Sequence, residues 1–267
     1  MKKQFNILKV VFVVILLSPL VISWMPWTWF EGIFSEALHE GNYIKILFNS
    51  VQELSITLVS TMIFAMIISY ILGYVSVLSM KCGRFFSSIL SAVESIPSLL
   101  IALFCYAPVS GALAKTSSST SAWISLAVFV AAATATVLPE AVRSISIPLS
   151  DLYNQKYSVS FRSYGFAKNR ILSVLMKTDL MIDTLKRVAA GILLKTLVLD
   201  TSFGFVIQVG LGATGTPQHT SPGALIALYR RTLLGFDGTP AMFWIPSLIL
   251  VAFSVAFLVI LGDKKEE

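Results

Sequence analysis

The sequence predicts an all-α, polytopic membrane protein with about six transmembrane helices and a cytoplasmic coupling-helix loop. Hydrophobic residues make up 56% of the 267 residues and charged residues only 13%, whereas soluble domains are about 45–50% apolar and about 25% charged. Six apolar runs reach the length of about 17–25 residues that crosses a bilayer. The basic residues gather on one side of these runs, which is typical of multi-pass membrane proteins.

The predicted spans follow one another along the whole chain. In order, they cover residues 7–23, 54–78, 85–107, 122–138, 188–209 and 241–261. The first follows Lys2 and Lys3 and resembles a signal peptide, but it has no small-residue cleavage site, so we interpret it as an uncleaved span.

The distribution of basic residues predicts the orientation. With both termini in the cytoplasm, fifteen Lys and Arg residues lie in inside segments and only Lys45, Lys115, Arg230 and Arg231 lie outside. This asymmetry favours cytoplasmic termini. It also explains the net charge of +6 better than nucleic-acid binding does, because no basic patch is interleaved with aromatic residues.

The loop between the fourth and fifth spans, residues 139–187, is the main charged segment. It carries eight of the twenty Lys and Arg residues against four acidic residues, so its net charge is +4. Such a loop is either a solvated connector between spans or a docking element for a cytoplasmic partner.

Two short helices are predicted inside this loop, at residues 152–164 and 168–180. Ser150 and Asp151 are the expected N-cap of the first helix, and Gly165 is expected at the position just after its end. The second helix has one apolar face, which consists of Ile171, Leu172, Leu175 and Met176.

Glu94 and Pro97 interrupt the third span. A carboxylate inside a span usually faces protein or a water-filled cavity, and a proline kinks the helix and frees a backbone carbonyl. Glu94 and Pro97 are therefore candidates for the translocation path, and a structural polar contact between helices is an equal alternative for Glu94.

Lys195 and Asp200 are charged residues in the fifth span. Five residues separate them, which places them about 140° apart around a helix, so they are not expected to pair with each other. Each needs its own partner, for which the candidates are Glu94 in the case of Lys195, or the same helix of a second subunit. Both are further candidates for the translocation path.

The sequence contains no disulfide framework and no pattern for a resident metal. Cys82 and Cys105 form no CxxC motif, and His39 and His219 are not spaced as metal ligands. A phosphate-binding GxxxxGK[ST] loop is absent from the sequence, so the energy for transport would have to come from a partner or from an ion gradient.

A basic helix-glycine-helix loop between the fourth and fifth of six spans resembles the inner-membrane permease subunits of binding-protein-dependent ABC importers. The nearest branch is that of the dipeptide, oligopeptide and nickel permeases. The likeness rests on the following residues, in order: Arg143, Tyr157, Gly165, Ala167, Arg170, Ile171-Leu172, Gly210-Leu211-Gly212, Pro222-Gly223 and Ile245-Pro246. The family's Glu-Ala-Ala is replaced here by Val159-Ser160-Phe161, and its Leu-Pro by Lys177-Thr178.

This resemblance implies three segments of the chain. Residues 1–48 would hold the first span and an extracytoplasmic segment, residues 49–263 the permease domain with the coupling loop at 139–187, and residues 264–267 a cytoplasmic tail. The ATPase-coupling residues implied by the motif are Tyr157, Arg162, Gly165, Ala167 and Arg170.

The resemblance also implies the partners and the location. The chain would not be an enzyme and would bind no cofactor, since ATP-Mg would sit in a separate ATPase. Its partners would be a second permease subunit, two ATPase subunits or domains and an extracytoplasmic solute-binding protein. It would lie in the lipid of the bacterial inner membrane and carry peptides, nickel or metal chelates.

Two other functions compete with this one. An ion-coupled secondary carrier would use Glu94 and Asp200 as proton sites, but no inverted repeat relates the two halves of the sequence. An intramembrane enzyme would depend on Lys195 and Ser202 as a Ser-Lys pair, which is a weak signal at a spacing of seven residues.

Overall fold

The computed structural model describes residues 43–113, 119–206, 221–234 and 239–261. Within these ranges the chain is helical and contains no strand. The helices are α1 (Tyr43–Leu78), α2 (Met80–Glu94), α3 (Ser98–Leu113), α4 (Ser119–Asn154), α5 (Lys156–Ser163), α6 (Lys168–Leu175), α7 (Asp179–Val206), α8 (Pro222–Leu228), the 3-10 helix η1 (Tyr229–Leu234) and α9 (Ala241–Leu261). The all-α class is thereby confirmed for this part of the chain.

Four of these helices, α1, α4, α7 and α9, are long and apolar enough to cross a membrane. The pair formed by α2 and α3 adds at most one more span, so the described residues account for four to five. The first predicted span, at residues 7–23, lies outside the described residues, and so does the predicted tail.

The third predicted span, residues 85–107, is not one helix. Its two halves, α2 and α3, are bent by 85° relative to each other. The reason is Pro97, which cannot donate a backbone hydrogen bond and which disfavours helical geometry at Ile96. The next helix begins at once, because the carbonyl of Pro97 accepts from the amide of Leu100 at 2.9 Å. The predicted kink is thus a full break.

Helix α4 extends well beyond the predicted fourth span. It includes Pro139 and Pro148 and ends at Asn154, so the prediction that Ser150 and Asp151 cap a new helix is wrong. Tertiary packing explains the difference, because Ile145, Leu149 and Leu152 recur at helical spacing on α4 and are all buried.

The segment from residue 155 to residue 178, here called the connector, contains α5 and α6. Helix α5 starts at Lys156 rather than 152, and α6 ends at Leu175 rather than 180. The predicted apolar face of α6 is confirmed, since its four residues Ile171, Leu172, Leu175 and Met176 are at most 4% exposed. They pack in one cluster with the buried face of α4 and with residues of α1 and α7.

Gly165 ends α5 in the conformation expected of a helix-terminating glycine. Its φ is +79°, its amide bonds to the carbonyl of Arg162 at 3.0 Å, and the amide of Phe166 bonds to the carbonyl of Phe161 at 3.2 Å. These two bonds define a Schellman motif. The aromatic rings of Phe161 and Phe166, 5.9 Å apart, supply the hydrophobic contact that accompanies it.

A second core joins α1, α7, α8 and α9. Two glycines allow α7 and α8 to approach closely: a Cβ on Gly204 would lie 2.6 Å from the amide nitrogen of Ala224, and one on Gly223 would lie 2.9 Å from the Cα of Thr201. This crossing places Ser221, the N-cap of α8, beside α7.

Candidate functional site

The connector presents an exposed surface of aromatic and basic side chains. Tyr164 is 80% exposed, and the other large apolar side chains of this surface are Tyr157, Val159, Phe161 and Phe166. The guanidinium of Arg162 lies 4.7 Å from the ring centre of Tyr153, and that of Arg170 lies 5.2 Å from the ring of Phe166. Cation–π contacts of this kind hold both cations in place beside the aromatic rings.

All the residues predicted to couple to an ATPase belong to this surface. Tyr157, Arg162, Gly165, Ala167 and Arg170 are each exposed. Ala167 and Arg170 also line a groove of about 490 Å³, whose other wall is formed by Tyr70 and Tyr74 of α1. The surface is therefore continuous with the end of a membrane-length helix.

Tyr74 anchors α6 to α1. Its hydroxyl donates to the backbone carbonyl of Asn169 at 3.1 Å and also contacts the Oδ1 of that residue. Asn169 lies in the first turn of α6. The sequence analysis did not single out this pair. The two residues are 95 positions apart, and no sequence pattern indicates that their side chains meet.

An ion pair joins the break between α2 and α3 to α4. The Oε2 of Glu94 lies 2.6 Å from the Nη1 of Arg143, and the Nη2 of Arg143 donates to the Oγ of Ser91 at 2.9 Å. Glu94 is the last residue of α2, and Pro97 lies exposed in the break just after it. The position of the break thus depends on α4 as well as on the proline.

Lys195 of α7 pairs with Glu140 of α4. The expectation that Glu94 would be the partner of Lys195 is wrong, because the carboxylate of Glu94 is held by Arg143. Glu140 and Arg143 are three residues apart and therefore neighbours on the surface of α4. One helix face thus holds a partner for each of two candidate pathway residues.

The two ion pairs border a groove between α4 and α7 with a volume of about 630 Å³. Its charged lining residues are Glu140, Arg143, Arg187 and Lys195. The wall also includes apolar side chains such as Val137, Ile147 and Leu194. A groove of this size and mixed character can hold a small solute with charged groups.

Asp200 lies apart from these ion pairs, on a different face of α7. Its side chain is buried while that of Lys195 is exposed, as the spacing predicts. Asp200 is 5% exposed, and its Oδ2 has no hydrogen-bond partner among the described residues. The structure therefore brings Glu94 and Lys195 to α4, leaves Pro97 exposed in the break between α2 and α3, and places Asp200 elsewhere.

Glu53 shares a small cavity with Asp200, and the sequence analysis missed it. The cavity is also lined by Tyr106, Ser125 and Ser221, and the hydroxyls of Tyr106 and Ser125 are hydrogen-bonded at 2.6 Å. One feature of the sequence could have indicated Glu53: it is a carboxylate one residue before a predicted span. In the same way, Glu140 and Arg143 were assigned to the loop because the helical continuation of the fourth span was not recognised.

The site therefore has three parts: the exposed connector surface, the ion-paired groove between α4 and α7, and the buried carboxylate of Asp200. No group of three His, Cys, Asp or Glu residues in the part of the chain that the structure describes is arranged to hold a metal ion. No protein-family model matches the chain, and no curated protein matches it at a significant level.

Proposed function

We propose that this chain is the transmembrane permease subunit of an ATP-driven ABC importer. The observation that carries the proposal is the connector: two short helices joined at Gly165, with an exposed aromatic and basic surface, between two helices of membrane length. Such a surface suits docking to a protein partner, since aromatic and arginine side chains are enriched where binding energy concentrates. On this proposal the connector faces the cytoplasm, both termini are cytoplasmic, and the membrane is the bacterial inner membrane.

The solute path on this proposal follows the groove between α4 and α7. Glu94 and Lys195 contribute charge there through their pairs with Arg143 and Glu140. Solutes of the size and charge of peptides, nickel ions or metal chelates fit the family that the sequence resembles. Delivery by an extracytoplasmic binding protein and pairing with a second permease subunit belong to the same proposal.

The test uses the turn at Gly165. A Cβ at this position would meet nothing within 4 Å, so a substitution is opposed by the positive φ alone. Left-handed geometry costs a residue with a side chain about 1–2 kcal/mol, and asparagine tolerates it better than a β-branched residue does. Gly165→Val is expected to insert in the membrane but to bind the ATPase weakly and abolish uptake, whereas Gly165→Asn is expected to be milder.

The measurements are co-purification of an ATPase and ATP-dependent uptake, both made on the same membranes. The matched control is Gly191→Ala, at a helical glycine where an added Cβ also meets nothing within 4 Å and where φ is not positive. It should leave ATPase binding intact. Normal coupling in the Gly165→Val variant would contradict the docking assignment, and uptake by the purified chain alone in proteoliposomes would favour an ion-coupled carrier.

A further inference from the structure

We infer that the cavity between Glu53 and Asp200 is a binding site for a hard divalent cation of the magnesium, calcium or manganese type. Glu53 comes from α1, Tyr106 from α3, Ser125 from α4 and Asp200 from α7, and Ser221 caps α8. These five side chains end in oxygen, and the remaining lining residues, Leu126, Phe129 and Phe203, are apolar. This inference is independent of the proposed transport function, because it concerns a different part of the molecule from the connector and the groove.

The unpartnered oxygen of Asp200 is the first observation that points to a ligand. Only 5% of the surface of Asp200 is exposed, and its Oδ2 has no hydrogen-bond partner among the described residues. A buried carboxylate without a partner is costly, and proteins normally pair such a group or use it to coordinate a metal. The cavity that this side chain lines is where a partner would sit.

A second carboxylate in the same cavity strengthens the case for a cation. The carboxylates of half-buried Glu53 and buried Asp200 line one cavity, where each disfavours the ionised form of the other. A cation bound between them would offset this repulsion. A cavity of about 20 Å³ has room for one water-sized occupant and not for a larger solute.

The types of side chain indicate which cations fit. Calcium, magnesium and manganese prefer carboxylate oxygens, carbonyl oxygens and water, whereas zinc favours imidazole and thiolate and nickel favours imidazole. The described lining of the cavity contains no histidine or cysteine. Since only two of the lining residues are carboxylates, the hydroxyls of Tyr106, Ser125 and Ser221 would complete the oxygen ligands.

The neighbouring helix turns are also polar. Thr57 lies one turn after Glu53 on α1, and Thr196 lies one turn before Asp200 on α7. Both threonines are fully buried, and their hydroxyls have no partner among the described residues. Neither threonine lines the cavity itself, but both add buried oxygen atoms to the helix turns next to it.

The experiment measures cation binding to the full-length chain in detergent after chelation. Manganese is the probe, detected by electron paramagnetic resonance, and calcium is used in isothermal titration. We expect one bound ion per chain, and a loss of affinity of more than about tenfold in Asp200→Asn and in Glu53→Gln. Asp151→Asn, at an exposed carboxylate of α4, is the matched control and should bind as the unmodified chain does.

Thermal unfolding with and without the ion guards against misfolded variants. Calcium should raise the melting temperature of the unmodified chain and of Asp151→Asn, because a ligand that binds only the folded state stabilises it, and should not raise that of Asp200→Asn. Ser125→Ala keeps both carboxylates and should bind with intermediate affinity. Absence of binding at millimolar manganese and calcium, or equal binding in Asp200→Asn, would overturn the inference and leave a shared proton or a water molecule in the cavity.

Discussion

Two residues of α4, Glu140 and Arg143, form ion pairs with charged residues of neighbouring helices. Glu140 binds Lys195 and Arg143 binds Glu94, so one surface of α4 compensates a base on α7 and an acid on α2. Their side chains are about half exposed in the single chain, with 50% for Lys195 and 57% for Glu140. In water such pairs contribute about 0–1 kcal/mol, but an uncompensated charge within a span is far more costly.

The Glu140–Lys195 pair can be tested by a double-mutant cycle. Glu140→Gln removes the partner of Lys195 and is expected to destabilise the chain in membranes by up to about 3 kcal/mol. Glu140→Gln combined with Lys195→Met should recover much of this loss, because no unpaired charge remains. The measurement is thermal unfolding in a lipid environment, and equal stability of Glu140→Gln and the unmodified chain would show that the pair does not matter.

Gly204 is the residue that sets the closeness of α7 and α8. Gly204→Ala would place a Cβ 2.6 Å from the amide nitrogen of Ala224, which backbone atoms cannot accommodate without moving the helices apart. We expect a loss of about 1–3 kcal/mol, the usual range for overpacking. Gly191→Ala is the control, since it gains helix propensity without a clash.

The Gly204→Ala loss should be visible as a lower melting temperature, together with weaker cation binding, because the same crossing positions Ser221. A melting temperature of Gly204→Ala equal to that of Gly191→Ala would show that the two helices are not tightly packed at this point.

Among the elements, the connector is the one whose local structure the sequence predicted best. Gly165 has the positive φ expected of it, and the apolar face of α6 is buried. Both features follow from short-range rules, namely the conformational freedom of glycine and the helical period. The start of α5 was not predicted, because the Ser150-Asp151 cap signal competes with the burial of Leu149 and Leu152 on a longer helix.

The buried face of α6 should carry the stability of the connector. Leu172 is fully buried in a cluster shared with α4 and α1, so Leu172→Ala is expected to cost about 2–5 kcal/mol. The neighbouring Val174 is 58% exposed, and Val174→Ala should change stability by no more than about 0.5 kcal/mol. The rate of limited proteolysis in the connector reports its stability in both variants. Equal cleavage of Leu172→Ala and Val174→Ala would contradict the assignment of the Leu172 side of α6 as its buried face.

At the scale of the whole molecule, composition predicted the all-α class, and the described residues account for four to five of the about six predicted spans. The mean hydropathy of the helices identifies four membrane-length helices among the described residues. Mean hydropathy does not reveal the 85° break at Pro97, because it contains no information on the angle between helix axes. Nor does it reveal which acid meets which base, since Glu94, Glu140, Arg143 and Lys195 are equally compatible with several pairings until α4 and α7 are placed side by side.

The predicted orientation can be tested by cysteine labelling of intact cells in a background without Cys82 and Cys105. A cysteine at Ser118, which lies with Lys115 between the third and fourth predicted spans on the predicted outer side, should react with an impermeant reagent. A cysteine at Tyr164 should not react, although this position is 80% exposed in the single chain. After cell lysis both should react, and labelling at Tyr164 in intact cells would reverse the proposed topology.

The continuity of α4 has a mechanical consequence. Its 36 residues make one rod about 54 Å long, and Glu140 stands about 21 Å from its connector end. A tilt of about 5° at that lever arm shifts the far point by about 2 Å, which is enough to separate a salt bridge. A displacement of the connector end would therefore be transmitted to the Glu140–Lys195 pair through one continuous helix. Between the two points, Pro148 is the residue that cannot donate a backbone hydrogen bond.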